Sequence, residues 1–347
     1  MMFKIGNKEI GEGFPNIISF EPGATYSNIE EAKQMIDYVA KAGADAVKFQ
    51  TFLLGDADRI MAKKDITVEF GTSEGKKQEL VYDALKRREL SNSQWEELMK
   101  YSKKQGLLFI TAPYFTETVD FLQTQSVDAL KVSKGDINNV LLIEKMAQTN
   151  LPIILDAREK SDDVKKAVEI CEQNNNFQIV VMHCPSGYPV ENSGVHLNAI
   201  TQLIKDYKYP IGFADHSPGD MMNYAAISLG AKMLEKTITL DKQTEHVEHF
   251  MSLEMDELKK FVNNIRILEK ALGTGEILKA SRVEESARRS IVARNDIPKD
   301  KVLTKNDFDF RRPGNLGISV SEGFSLIGKK TKREITKNTF LQWDMVE

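Results

Sequence analysis

Pro210-Ile-Gly-Phe-Ala-Asp215-His216-Ser-Pro-Gly-Asp220 is an apolar run that ends on an Asp-His pair and a Pro-Gly turn, with a helical pattern opening at about Met221. Strand, polar turn and helix form the repeating unit of β/α proteins, which keep their chemistry at the C-terminal ends of buried strands. Asp215 and His216 are therefore candidate catalytic or metal-ligating groups. The plainer alternative is that Asp215 caps the turn and His216 is a polar bystander.

The same pattern repeats outward from this stretch. Apolar runs occur at Asn16–Glu21, Ala46–Gln50, Leu107–Thr111, Ala129–Ser133, Pro152–Asp156, Gln178–His183, Pro210–Ala214 and Lys232–Lys236, each followed by a helical pattern such as Ile29–Ala42 or Met255–Leu272. Near-continuous apolar runs with interleaved helices indicate a parallel sheet covered on both faces. Eight such units over about 250 residues are the arithmetic of an α/β fold closed as a (β/α)8, or TIM, barrel. An open doubly wound sheet is the alternative. The barrel is expected over 1–272, a linker over 273–288, and a small, mostly β domain over 289–347, where short strand-like pieces alternate with turn signals such as Arg312-Pro-Gly-Asn315. The segment from Thr51 to Leu90 is too long for a simple loop and leaves the end of the second strand, so it is expected to form a lid or rim.

The totals narrow the function. The chain has 347 residues and a net charge of −4, with no basic stripe of the kind nucleic acid requires. No apolar run approaches a membrane span, no signal-peptide core opens the chain, and two cysteines, Cys171 and Cys184, are too few for a disulfide framework. A soluble, cytoplasmic protein is expected.

In a barrel the strand ends share one mouth. They bring there Glu21, Lys48, Gln50, Lys131, Lys134, Asp136, Asp156, Arg158, His183, Asp215, His216, Glu235 and Lys236. A lysine inside an apolar strand is costly unless it meets an anion, so Lys48, Lys131 and Lys236 together point to an anionic ligand; each pairing with a neighbouring carboxylate is the alternative. His246 and His249, in Glu245-His-Val-Glu-His249, follow the eighth strand and join His216 as candidate metal ligands, although histidines in a charged loop are more often simply solvated.

Several motifs then resemble those of the sialic acid synthase family, in that family's order: Ala42-Gly-Ala-Asp-Ala-Val-Lys-Phe-Gln-Thr51, Lys131-Val-Ser-Lys-Gly-Asp-Ile-Asn-Asn139, His183-Cys-Pro-Ser-Gly-Tyr-Pro189, Ala214-Asp-His-Ser217 and Leu234-Glu-Lys-Thr-Ile-Thr-Leu-Asp241. The run from Arg289 through Arg311-Arg-Pro-Gly-Asn-Leu-Gly-Ile-Ser319 to Lys329 resembles the antifreeze-like (SAF) domain of that family. The resemblance covers nearly the whole chain. It implies condensation of phosphoenolpyruvate with an N-acetylated hexose such as N-acetylmannosamine, giving a nonulosonate and phosphate for surface polysaccharide synthesis. It also implies a divalent metal, typically manganese, and a domain-swapped homodimer in which Arg312 of one copy reaches the mouth of the other.

By the same resemblance Lys48 and Lys131 bind phosphoenolpyruvate and His216 is one metal ligand. Beyond those positions, Gln50, Lys134, Asp136, Arg158, Ser186 and Tyr188 are expected to contact substrate; Glu21, Asp215 and Glu248 are the expected catalytic groups, with Glu21 or Glu248 positioning the attacking water. The chain departs from the family pattern at the site. Thr237 stands where the second metal histidine falls, leaving His249 or Glu248 to replace it. Thr25-Tyr26 replaces an Asn-His pair, Asp156-Ala157-Arg158 replaces a Ser-Thr-Gly turn, and Ala214, Lys134 and Asp136 replace two serines and a glutamate. Hydroxyl donors are exchanged for charge, because Arg binds phosphate in bidentate fashion. Two other readings fit the same barrel. One is a Schiff-base lyase acting on pyruvate through Lys131 or Lys134; the other is a non-catalytic carbohydrate-binding relative with a degraded metal site.

Overall fold

The computed structural model describes residues 1–157, 162–277, 279 and 281–347. It divides into two compact units, Met1–Gly273 and Thr274–Glu347. The first unit is a closed parallel barrel of strands β1 (Ile17–Glu21), β2 (Ala46–Gln50), β3 (Leu108–Ala112), β4 (Ala129–Val132), β5 (Ile153–Asp156), β6 (Ile179–His183), β7 (Ile211–Asp215) and β8 (Met233–Thr239). Each strand pairs with the next, and β8 returns to pair with β1, so no edge is left open. The eight expected strands are the eight observed.

The period of two along each strand sorts its side chains. Ile18, Phe20, Val47, Phe49, Phe109, Leu155, Phe213 and Leu234 face outward into the layer beneath the helices. Ile17, Ala46, Leu108, Ile110, Ala129, Ile154, Val180 and Met233 fill the barrel interior. A hairpin, Phe3–Ile5 with Lys8–Ile10, adds Ile5 and Ile10 to that interior cluster from the N-terminal end of the strands. That end is therefore plugged with apolar side chains, and one step further along the same inward faces the residues become Glu21, Lys48, Lys131, Asp156 and Glu235.

Helices hold the barrel from outside. In α1 (Ile29–Ala42), Ala32, Met35, Ile36, Val39 and Ala42 recur at helical spacing and are buried. The Asn28 side chain accepts from the Glu31 amide, and Gly43 ends the helix at φ 79°, where a side chain would be strained.

The expected rim between residues 51 and 90 consists of a short helix Asp56–Ile60, an antiparallel hairpin Thr67–Thr72 with Gly75–Leu80, and a helix Val81–Lys86. The second unit holds strands Ser290–Ala293 and Phe308–Arg311, paired antiparallel, around a core that includes Ile291, Ile297, Leu303, Phe308, Ile318, Leu326 and Leu341. The stretch expected as a linker carries a helix of its own, Arg282–Ala287, whose N-terminus is closed by reciprocal bonds between Ser281 and Glu284. Ser-x-x-Glu is a capping signal legible in the sequence.

Candidate active site

At the mouth of the barrel lies a cavity of about 350 Å³. Its floor is charged: Glu21 from β1, Lys48 and Gln50 from β2, Lys131 from β4, Asp156 from β5 and Glu235 from β8. Its wall is partly apolar, with Val68, Val81, Ala84 and Leu85 from the rim and Val247 from the loop after β8. The rim segment therefore does border the site.

The floor is a chain of ion pairs. Lys131 Nζ donates to Glu235 Oε1 at 2.5 Å, and Lys48 Nζ lies 3.7 Å from the same oxygen. Lys48 also donates to Glu21, which accepts from Gln50 Nε2 at 3.0 Å. The Gln50 oxygen accepts from Arg88 Nη1 at 3.1 Å and from the Tyr114 hydroxyl at 2.9 Å, so every polar atom of that amide is oriented. Glu235 Oε2 is buried and has no hydrogen-bond partner among the described residues.

These contacts push the carboxyl groups apart in acidity. Burial pushes Glu21 up, but the Lys48 and Lys131 ammonium groups outweigh it and hold Glu21 well below the usual carboxylate range. Burial pushes Glu235 up against the pull of Lys131 and Lys48. Glu248 is raised by burial and by the charge of Glu21. For Lys131, burial pulls downward, yet Glu235 and Asp156 reverse it and keep the ammonium charged.

Glu248 is held unusually. Its φ is 75°, a conformation rare for a side chain larger than glycine, and its Oε2 accepts from the Ala24 amide at 2.6 Å. A side chain at Gly23 would run into that oxygen, so only glycine leaves room for the carboxyl. Backbone held in such a region is tolerated where surrounding contacts enforce it, and such positions cluster at functional sites.

Other expected residues lie elsewhere. Asp215 does not border the cavity: its carboxylate accepts from the Ser217 amide and hydroxyl, from Asn223 Nδ2 and from Lys236 Nζ. It caps the turn, as its plainer alternative had it. Lys236, expected at the mouth, alternates outward from Glu235, is fully buried on Asp215 and the Ser217 carbonyl, and its ammonium is pulled down by burial. His216 does border the cavity, its ring 5.3 Å from that of Tyr188, which also lines it. Lys134 lines it as well and reaches Ser186 Oγ at 3.1 Å. Asp136 turns to Ser133 and Asn139. Arg158 lies outside the described residues. Arg312 lies in the second unit, exposed.

The metal pair is not assembled. His249 is buried with Nδ1 on the Thr239 hydroxyl at 2.8 Å and the Asp241 carbonyl at 3.2 Å; burial pulls it down to about 4, and it does not line the cavity. Thr237 Oγ1, on the inward face beside Glu235, is buried and has no hydrogen-bond partner among the described residues. Among those residues the one convergence of three His, Cys, Asp or Glu donors is Glu254, Asp256 and Glu257, of which Glu254 accepts from the Lys242 amide and Glu257 from its ammonium. The described donors around His216 therefore do not fit a tightly held transition metal, which takes imidazole and carboxylate ligands together.

Arg88 and Tyr114 escaped the sequence reading. Arg88 sits in the run Lys86-Arg87-Arg88-Glu89, which reads as a solvated helix end, and nothing in its spacing separates it from Arg87. Glu235 was visible at a strand end, but its role as the shared partner of two lysines required the barrel to close.

A closed β/α barrel with a charged cavity at the C-terminal ends of its strands is the architecture of a barrel enzyme. Residues 35–277 match the NeuB family, more than half of the chain, and residues 288–347 match the SAF domain. The chain is 35% identical to an uncharacterized protein of Methanocaldococcus jannaschii, over 98% of this chain and 97% of the relative. It is 30% identical to the N,N'-diacetyllegionaminic acid synthase of Legionella pneumophila, over 99% and 98%. A crystal structure of the N-acetylneuraminic acid (sialic acid) synthetase of Leptospira borgpetersenii, in complex with citrate, superposes with a TM-score of 0.72 at 27% identity, covering 83% of this chain and 95% of that one. The chain belongs to the NeuB family of sialic-acid-type synthases, with the SAF domain at its C-terminus.

Proposed function

We propose that this protein condenses phosphoenolpyruvate with an N-acetylated hexose of the N-acetylmannosamine type, releasing phosphate and a nonulosonate for a surface polysaccharide. The observation that carries this reading is the pair of buried lysines, Lys48 and Lys131, from two strands and gathered on Glu235 at the floor of the cavity. Two ammonium groups, each on a side chain only 4% exposed, are poised to exchange part of that carboxylate contact for the phosphate and carboxylate of the ligand.

Glu248 carries the proton. Burial and the charge of Glu21 raise Glu248 and favour its proton-bearing form, while Lys48 and Lys131 hold Glu21 low, where it fixes Lys48 and Gln50; of two carboxyls separated in this way, the raised one is assigned the acid role. The enol carbon attacks the aldehyde, a C–C bond forms, and the aldehyde oxygen takes the Glu248 proton. Water then adds to the oxocarbenium carbon and gives its proton to the Glu248 carboxylate. Collapse of the tetrahedral centre breaks the C–O bond to phosphate, which departs with the hydroxyl proton as hydrogen phosphate and leaves the ketone. Glu248 thus ends protonated, as it began.

Members of the family generally work with a divalent metal. The described residues here do not fit one, and the proton path above uses only the side chains of the chain. A Schiff-base lyase acting through Lys131 is disfavoured, because Glu235 and Asp156 keep that ammonium charged; borohydride trapping with pyruvate tests the same chemistry at Lys134, which also lines the cavity. The substrate contacts expected of Lys134, Asp136, Arg158, Ser186 and Tyr188 belong to this proposal. So do the homodimer, with Arg312 supplied by the second copy, and a cytoplasmic location. No helix among the described residues is long and apolar enough to cross a membrane.

Phosphate release measured over a panel of N-acetylhexosamines tests the reading. Release is expected only when an aldose is present, and Lys131→Met is expected to lower it at least ~100-fold, the scale lost with one electrostatic stabiliser. Release without an aldose, or full activity in the variant, overturns it.

A further inference from the structure

One cation in the cavity is not accounted for by the reaction above. Arg88 lines the cavity and is 94% buried by its 6% residual exposure. Its Nε donates to the Ala84 carbonyl at 2.9 Å and its Nη1 to Gln50 Oε1 at 3.1 Å, while the guanidinium lies 4.7 Å from the centre of the Phe52 ring. Both acceptors are neutral. Among the described residues no carboxylate oxygen comes within 4 Å of this guanidinium, and Nη2 makes no hydrogen bond. Lys48 and Lys131, by contrast, each hold a carboxylate.

The fold drives Arg88 into this place. Its neighbours are held by other partners: Arg87 pairs with Glu79 at 2.6 Å, and Glu89 accepts from the Ala57 amide at 2.7 Å and from Lys86 at 2.9 Å. Leu90 then bridges to Leu53, just beyond β2, so the backbone on both sides of Arg88 is fixed. The guanidinium charge reaches the Glu248 carboxyl and pulls its pKa down, but among the described residues no carboxylate touches it. Arginine does not shed its proton in proteins, and a buried cation without a carboxylate in contact is costly. A purely structural arginine at this depth would be expected to have a carboxylate partner.

We propose that Arg88 is the recognition site for an acidic group on the acceptor, separate from the lysine floor that takes the enol phosphate. The acceptor class is an aldose bearing its own phosphate or carboxylate. This rests on the condensation reading above. Phosphoenolpyruvate is the other source of such an anion, but Arg88 stands in the rim segment beside the apolar Ala84 and Leu85 and joins the floor only through Gln50. The acidic group would bind between Arg88 and the Tyr114 hydroxyl, with the sugar against the apolar wall.

The test is calorimetric and needs no turnover. N-acetylmannosamine, its 6-phosphate and phosphoenolpyruvate are each titrated into the wild-type chain, Arg88→Met and Arg88→Lys, with thermal melts to confirm folding. The phosphorylated sugar is expected to bind at least ~10-fold tighter than the neutral one to the wild type, the preference to vanish in Arg88→Met and to return in part in Arg88→Lys, since charge-assisted bonds to a guanidinium are worth that much. Affinity for phosphoenolpyruvate is expected to change less than about threefold. Equal binding of the two sugars, binding of neither, or a preference that survives Arg88→Met overturns the inference. A loss confined to phosphoenolpyruvate assigns Arg88 to that ligand and also overturns it. A merely structural Arg88 would lower the melting temperature and leave the preference intact. Phosphate release from phosphoenolpyruvate, assayed separately, reports on the condensation itself, so the two claims fail independently.

Discussion

Glu248 is the residue on which the proposed chemistry turns, and the direction of its acidity gives that proposal a sign. Burial and the neighbouring Glu21 charge favour its neutral form, so its affinity for the proton is raised. A general acid works while protonated; activity should therefore hold at low pH and decline as pH rises through the raised value. Glu248→Gln keeps the shape and removes the proton. It is expected to lower kcat by about 100-fold or more and to abolish the alkaline decline that depends on this group, as read in a pH–rate profile. An unchanged profile would assign the decline to another residue. At this scale the sequence spoke unevenly. Lys48 and Lys131 betrayed themselves as charges inside apolar strands. Arg88 did not, because a charged helix end and a buried cation share one composition. Asp215 looked catalytic because it ends a strand, yet the turn that follows consumes its oxygens. Hydrogen-bond satisfaction of that kind is set by three-dimensional neighbours such as Asn223 and Lys236, not by position along the chain.

The hairpin Thr67–Thr72/Gly75–Leu80 is the element that covers the site. Phe70 packs with Ala24, Val247 and Tyr188, and the Gly71 amide donates to the Tyr188 carbonyl at 3.0 Å. Lys77 pairs with Glu245, so the hairpin is tied to the loops after both β6 and β8. Gly71 has no room for a side chain: a Cβ there would stand 2.8 Å from Pro189 Cδ and 3.1 Å from Phe250 Cδ1. Gly71→Val should lift the hairpin off these loops. The expected result is a KM raised about tenfold with a smaller change in kcat, since the floor that performs the chemistry is untouched. An unchanged KM would show that the hairpin does not shape the bound state. The barrel strands were readable because their apolar runs are long and regular. The hairpin was not: Thr67-Val-Glu-Phe-Gly-Thr72 and Gly75-Lys-Lys-Gln-Glu-Leu80 are polar on their solvent face. Only the excess length of the segment announced a rim.

At the scale of the whole molecule the sequence determines more than at either smaller scale. Eight apolar runs interleaved with helices admit a closed barrel, and closure then sends every inward strand end to one mouth. The inward faces run from apolar to charged, as in Ile17-Ile-Ser-Phe-Glu21 and Ala46-Val-Lys-Phe-Gln50, so the barrel is plugged at one end and carries a charged cavity at the other. The break after Gly273 was legible as a change of pattern, because a compact β unit needs short strands and frequent turns. The metal site was least legible. Spacing placed His249 in a loop near the mouth, whereas Thr239 and the Asp241 carbonyl turn its Nδ1 away.

The central claim is that the lysine floor receives a three-carbon enol phosphate. Titration of phosphoenolpyruvate into the wild-type chain and into Lys48→Met and Lys131→Met tests it directly. The account predicts one site per chain in the wild type and at least a ~30-fold weaker affinity in each variant, a loss of about 2 kcal/mol. No binding to the wild type, or equal affinity in all three proteins, would contradict it.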